Sequence, residues 1–326
     1  MKIVIDGFGG DNSPNEVLKG ARMAVDELDV EVVITGDKKS LLSKIQELEI
    51  SDKGITVIDA QGVISVEDNP AEIRKSKANS SMGIAFGLLK AGEADAFVSA
   101  GSTAAIVVGG STIIGRIKGI KRASLAPIMP SYTGQYMLFD GGANLECRPE
   151  MLLQFAIMGK NYMQLVHKKE NPKIGLLNVG TEDEKGRELE QMSNELLKSS
   201  GLNYIGNVEA REVPLGACDV IVTDGFTGNI YLKTVEGMGK FMKNAMKDIF
   251  SGGIMSKLAA GIVMKNLKGV ISQMDYRNVG GSPLLGTSKP VFKAHGSSDA
   301  LAFKNAIRQA KQFTENNVIE EISKAL

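Results

Sequence analysis

Six times along this chain a short apolar, β-branched run ends in a turn of glycine with Asp, Asn, Ser or Thr, and a helical pattern follows. The segments are KIVIDGFGGDNSP from Lys2, VEVVITGDKKSLL from Val30, AFVSAGSTAA from Ala96, YMLFDGGANLE from Tyr136, IGLLNVGTEDEKG from Ile174 and DVIVTDGFTGN from Asp219. Strands that alternate with helices build βαβ units, so an α/β fold with a largely parallel sheet covered on both faces is expected. In such sheets the turns at the carboxyl ends of the strands gather along one edge, where ligands bind. The glycine-rich turns are therefore expected to face a common crevice. Glycine supports this: 37 of 326 residues is above the usual level of about 7%, and much of the excess sits in these turns.

No low-complexity linker or composition break divides the chain, and 43% hydrophobic residues suffice for a large core. One body spanning residues 1–326 is the simplest reading. Its first 250 residues or so read as the strand-rich part. Lys240 to Val270 is helical in pattern and Met-rich, which suggests a helical protrusion around 240–275. The C-terminal SSDALAFKNAIRQAKQFTENNVIEEISKAL reads as one or two amphipathic helices, with Ser297, Ser298 or Asp299 as N-cap. Lysine plus arginine equals aspartate plus glutamate at 38 each, so no overall field favours nucleic acid. Only Cys147 and Cys218 are present, and no signal-like N-terminus is seen, so a reduced cytoplasmic setting without a structural disulfide is expected. Ala96 to Gly115 is an uncharged run of membrane-spanning length. Its Ser99, Gly101, Ser102, Thr103, Gly109, Gly110, Ser111, Thr112 and Gly115 argue against a span.

The turns carry the chemistry. Gly101, Ser102 and Thr103 could hold an oxyanion with backbone N–H groups and two hydroxyls; equally, small residues there let a helix pack closely on its strand. TDGFTGNIYLK supplies Asp224, Thr227, Asn229 and Lys233, and NVGTEDEKGRE supplies Asn178, Thr181, Lys185 and Arg187. Amide and ammonium donors aimed at a developing oxyanion are what acyl transfer requires, which makes Lys185 and Asn229 the leading catalytic candidates. KPVFKAHGSSDA places His295 beside Lys289 and Lys293 as a second anion-binding cluster. Neither a Walker sequence nor a full Gly-x-Gly-x-x-Gly fingerprint occurs, nor a Gly-x-Ser-x-Gly elbow or a metal-type His/Cys cluster. No cofactor or metal is expected. A Cys147 and His295 pair is the weaker alternative, because buried inert thiols are commoner than reactive ones. In Met255 to Ile271, Met255, Leu258, Ile262, Val263, Leu267 and Val270 share one arc, with Lys257, Lys265 and Lys268 elsewhere. That helix suits an anionic membrane surface or a dimer or core interface.

In order, SSMGIAFGLLKAGEADAFVSAGST, LFDGGANLECRPE, GLLNVGTEDEKG, VTDGFTGNIYLKTVEG, GGSPLLG and KAHGSS closely resemble the bacterial phosphate acyltransferase family, PlsX, over nearly the whole chain. The resemblance implies a three-layer α/β/α fold similar to phosphotransacetylases and isocitrate/isopropylmalate dehydrogenases, assembled as a homodimer. It implies transfer of a long-chain acyl group from acyl carrier protein to inorganic phosphate, the acyl phosphate then serving a glycerol-3-phosphate acyltransferase in phospholipid synthesis. The matching positions are Asp6, Gly9, Gly10, Asp11, Arg74, Ser80, Ser81, Met82, Gly101, Thr103, Asp140, Gly141, Asn144, Lys185, Gly186, Asp224, Gly225, Gly228, Asn229, Lys293, His295 and Gly296. Ser102 stands where the family usually has Asn, Ala104 where it has Gly, and Asn12 where His is common.

On this reading Gly101, Ser102, Thr103, Asn144, Asp224, Lys293 and His295 bind phosphate, and Lys185 and Asn229 act on the tetrahedral oxyanion. Phosphate is itself a nucleophile, which fits the lack of a serine or cysteine machinery. Lys118, Lys121 and Arg122 are expected to meet the acidic carrier protein. Leu258 and Ile262 are expected to touch the inner face of the cell membrane, to which the protein binds peripherally. The rival readings are a short-chain phosphotransacetylase, a nicotinamide-dependent dehydrogenase, and a non-catalytic carrier-protein or membrane adaptor.

Overall fold

A computed structural model describes residues 1–253, 256 and 276–326. Apart from Ser256, the expected helix of Met255 to Ile271, with Leu258 and Ile262, lies outside the described residues. The largely parallel α/β arrangement is present, divided over two sheets. The first half of the chain supplies β1 (Lys2–Asp6), α1 (Asn15–Leu28), β2 (Glu31–Gly36), α2 (Lys38–Glu47), β3 (Ile55–Asp59), α3 (Ser81–Ala91), β4 (Ala96–Ser99), α4 (Thr103–Gly109) and β5 (Ser124–Leu125). A second group follows: β6 (Ile128–Ser131), β7 (Gly134–Phe139), α5 (Pro149–Leu165), β8 (Ile174–Asn178), α6 (Glu188–Ser199), β9 (Tyr204–Glu209), β10 (Val220–Val222) and α7 (Gly225–Ser251). The chain closes with α8 (Tyr276–Val279), β11 (Gly281–Leu285), β12 (Val291–Ala294), α9 (Ala300–Glu315) and α10 (Val318–Lys324).

Seven strands form one sheet in the order β3-β2-β1-β4-β12-β11-β5, and five form the other in the order β6-β7-β10-β8-β9. Each of the six sequence segments contains a strand, and these strands are parallel to their neighbours among one another. Among the described strands, antiparallel pairing is confined to β11 with β12 and β5, and to β6 with β7. Two strands follow the strand-rich part: β12 returns to lie parallel against β4, with Lys293 opposite Ser99. Its four residues are too short a run to separate from a loop by pattern alone, and pairing with β4 on one side and β11 on the other makes it a strand.

A single apolar core joins the sheets. Ile3, Ile5, Val98 and Phe292 from one, and Met137, Phe139, Val220 and Val222 from the other, belong to one buried cluster with Phe155 of α5 and Phe303 and Phe313 of α9. The crossing from sheet to sheet is short: Ala126 N–H donates to the Pro283 carbonyl at 3.0 Å and Gly141 N–H to the Leu125 carbonyl at 2.8 Å. Asp299 caps α9, its carboxylate accepting from Ala302 N–H at 3.0 Å. The run from Ala96 to Gly115 is divided by the turn after β4, and among the described residues no helix is long and apolar enough to cross a membrane.

Candidate active site

Two groups of turns lie at the carboxyl ends of the parallel strands. The first follows β1, β4 and β12. Ser99 Oγ donates to Asp6 Oδ2 at 2.8 Å and accepts from Gly101 N–H at 2.9 Å, so a buried carboxylate orients the turn through one hydroxyl. Burial pushes the Asp6 carboxyl up, while the Ser99 hydroxyl and Phe8 N–H act in the opposite direction. Glycine is needed where these turns meet. A β-carbon on Gly9 would stand 2.7 Å from Asp6 Oδ2, Ser99 Oγ and Gly101 N. Asp11 N–H donates to the Gly296 carbonyl at 2.8 Å, drawing the turn after β12 against the first turn.

Into this group projects half-buried Lys293, whose ammonium donates to the Ala100 carbonyl at 3.2 Å and to the Ala294 carbonyl. No carboxylate among the described residues lies within 4.0 Å of it. Desolvation lowers its pKa to about 8, opposed by the charges of Asp11 and Asp6 and assisted by Lys233. His295 is also held below its ordinary value, first by desolvation, and its Nδ1 lies 2.9 Å from Ser297 Oγ. Ser102 is buried and caps α4, accepting from Ala105 N–H at 3.4 Å, which leaves its hydroxyl proton free to donate elsewhere. Thr103 is exposed beside it.

The second group follows β7, β8 and β10. Both oxygens of buried Asp140 are occupied: Oδ1 accepts from Gly142 and Ala143 N–H at 2.9 Å, and Oδ2 from Asn144 N–H at 2.8 Å and Asn144 Nδ2 at 2.7 Å. Asn144 Nδ2 also donates to the Ala123 carbonyl at 2.9 Å. Both amide protons of Asn144 are thereby engaged, so its side chain shapes the loop and offers no further donor. Asp224 caps α7 by accepting from Thr227 N–H at 2.7 Å, and its other oxygen accepts from Arg187 at 2.5 Å. An ion-paired carboxylate at this position holds two loops together and repels an anion. Lys185 and Asn229 are both exposed. The Lys185 stem lies over Gly180, where a β-carbon would come within 3.1 Å of its Cγ.

α7 joins the two groups. Its first turn is pinned by Gly225 N–H donating to the Asn144 carbonyl at 2.8 Å. One turn beyond Asn229 stands Lys233, paired with Glu236 at 2.8 Å. Its charge acts on both Lys293 and His295, and that of Glu236 acts on His295. The i, i+4 spacing puts Asn229 and Lys233 on one face. The fold thus brings the Lys233 charge within electrostatic range of Lys293, a placement with no signal in the sequence beyond that spacing. The Asp6 and Ser99 pair likewise has no local signal, because strands β1 and β4 carry the two 93 residues apart.

Cys147 and His295 are not brought together as a nucleophilic pair: Cys147 sits in the loop after β7, its thiol on the Asn144 carbonyl and pushed up to about 12 mainly by burial. Among the described residues no group of three His, Cys, Asp or Glu is placed to hold a metal.

The family model described as "Fatty acid synthesis protein" matches residues 1–321. A phosphate acyltransferase of Caldanaerobacter subterraneus subsp. tengcongensis is 46% identical over 327 residues, covering 100% of this chain and 97% of the relative. One from Clostridium acetobutylicum is 42% identical, covering 100% and 99%. Among solved structures, a phosphotransacetylase from Streptococcus pyogenes superposes with a TM-score of 0.63 at 21% identity, covering 98% of this chain and 94% of that one. The 4-hydroxythreonine-4-phosphate dehydrogenase of Klebsiella pneumoniae reaches 0.55 at 15% identity, covering 96% and 99%. At these identities the two structures bear on the fold alone.

Proposed function

We propose that this chain, which belongs to the fatty acid synthesis protein family, is a phosphate acyltransferase that moves a long-chain acyl group from acyl carrier protein to inorganic phosphate. The observation that carries the phosphate half is Lys293: a desolvated ammonium with no carboxylate in ion-pair range among the described residues, turned toward the Gly101 to Thr103 turn. A desolvated cation is costly unless an anion joins it. Phosphate placed there meets Lys293, Lys233, the Ser102 hydroxyl and the backbone of the Gly101 turn.

A phosphate oxygen attacks the thioester carbonyl, forming the C–O bond and a tetrahedral oxyanion. Collapse breaks the C–S bond, and the carrier thiolate leaves and takes up a proton, giving acyl phosphate and free carrier. Lys185 and Asn229 act as oxyanion donors, worth about 3 kcal/mol each by analogy with other donor losses. Asn144, Asp224 and Arg187 hold the loops that present them. His295, neutral near physiological pH, donates or accepts one hydrogen bond at the phosphate's edge.

The whole chain is read as one acyltransferase domain with α7 as the base of a helical projection. Exposed Met238, Phe241, Met242 and Ile249 on its second half support a homodimer contact and attachment of that end to an anionic membrane surface. There the product would pass to a glycerol-3-phosphate acyltransferase from the cytoplasmic side. The test is to mix protein, palmitoyl-acyl carrier protein and phosphate and to follow acyl phosphate by mass spectrometry. Phosphate-dependent product is expected. Turnover of acetyl thioesters in preference to long chains would favour a short-chain phosphotransacetylase, and no turnover of any thioester would favour an adaptor.

A further inference from the structure

The loop between α4 and β5 alternates anchors with charges. Ile117 and Ile120 are buried, whereas Arg116, Lys118, Lys121 and Arg122 are exposed. Its frame is held from several sides. Ile117 N–H donates to the Gly286 carbonyl at 2.9 Å, Lys121 N–H to Gln154 Oε1 at 2.9 Å, and Gln154 Nε2 to the Gly119 carbonyl at 2.9 Å. The cations are therefore displayed from fixed backbone, which lowers the ordering cost of a partner that uses them.

The loop also borders the site. Ala123, whose carbonyl accepts from Asn144, follows Arg122 directly, and the Arg122 charge acts on the Cys147 thiol in the loop after β7. Arg148, exposed at the start of α5, extends the same face; Glu150 two residues on lies 3.7 Å from Lys121. Among the described residues no carboxylate lies within 4.0 Å of Arg116, Lys118, Arg122 or Arg148. In a chain whose charges balance at 38 and 38, this is a local excess fixed at the rim of the second group of turns.

We propose that Arg116, Lys118, Lys121, Arg122 and Arg148 form the docking surface for the acidic protein that carries the acyl thioester, an inference that rests on the acyltransferase reading above. The structure adds Arg116 and Arg148 to the cations singled out in the sequence. A protein donor is favoured over lipid headgroups because the charges flank the catalytic loops and not the apolar half of α7. Rim charges of this kind steer association and set its salt dependence.

The test measures binding of fluorescently labelled holo-acyl carrier protein by anisotropy, together with turnover and anionic-vesicle flotation. The variant combining Lys118→Glu, Arg122→Glu and Arg148→Glu is expected to bind carrier about tenfold more weakly at low salt, with a flatter salt dependence. Its thermal midpoint and its KM for phosphate should match the wild type. Unchanged carrier binding overturns the proposal, as does lost flotation with carrier binding intact, which assigns the patch to lipid. Charge-dependent binding of carrier by a wild type that makes no acyl phosphate leaves the surface standing and removes the acyltransferase reading.

Discussion

Gly228 lies so close to the loop after β7 that a β-carbon added to it would stand 1.9 Å from the Asp140 carbonyl oxygen. The neighbouring residue in α7 is Asn229, so this contact sets how far the proposed oxyanion donor stands from the Asp140 loop. Because the opposing atom is backbone, neither side can give way by changing rotamer. Gly228→Ala should destabilise the protein by about 1–3 kcal/mol, the range seen for overpacking. It should also lower turnover by more than that loss of folded protein explains. Thermal denaturation beside kcat checks both; normal kcat in the folded fraction would show that Asn229 tolerates the displacement.

Lys185 and Asn229 are exposed, so their removal should leave stability nearly unchanged, as is usual for surface substitutions. Lys185→Ala and Asn229→Ala are each expected to lower kcat by about 100-fold to 1000-fold, the range for a lost oxyanion donor. Steady-state kinetics at saturating phosphate reads this. Near-normal turnover in either variant removes that residue from the chemistry.

The pH dependence of phosphate binding follows from Lys293. Its pKa is lowered to about 8 in the unliganded protein, and the protonated form is the one that attracts a dianion. The contribution of Lys293 to phosphate affinity should therefore be retained below about pH 8 and fall as pH rises through that value. Bound phosphate in turn holds the proton on the lysine. Lys293→Arg, which stays charged, should remove the alkaline fall, and Lys293→Met should raise the KM for phosphate across the range. Isothermal titration with phosphate at several pH values is the check.

Asp140 accepts four N–H bonds from its own loop. Asp140→Ala leaves those donors without their acceptor in a buried position, at a cost of about 1–3 kcal/mol for each that water cannot reach. The loop carries Asn144, whose carbonyl pins the first turn of α7, so activity and stability should fall together. Urea denaturation of Asp140→Ala and Asp140→Asn, the latter keeping an acceptor, tests the assignment; equal stability of all three proteins would contradict it.

Asp224 shows where residue type and role part company. Its place in a turn after a buried strand marked it as a site residue, yet its oxygens go to Thr227 N–H and Arg187. Those bonds tie the turn that opens α7 to the loop of Arg187. Asn144 is similar, with both amide protons engaged. A sequence identifies which polar groups stand in a turn, but not which of them are already paired.

By itself the sequence determined the strand-turn-helix units and the glycines between them. Apolar periodicity, β-branching and turn chemistry are local properties, as is the presence of capping residues among Ser297, Ser298 and Asp299, from which the structure selects Asp299. Only the tertiary structure decided that these units divide over two sheets, that β12 enters beside β4, and that α7 carries Lys233 to Lys293 and His295. Those outcomes depend on pairing between distant segments, where a free sheet edge, a shared core and the approach of two charges exist only after the chain has closed on itself.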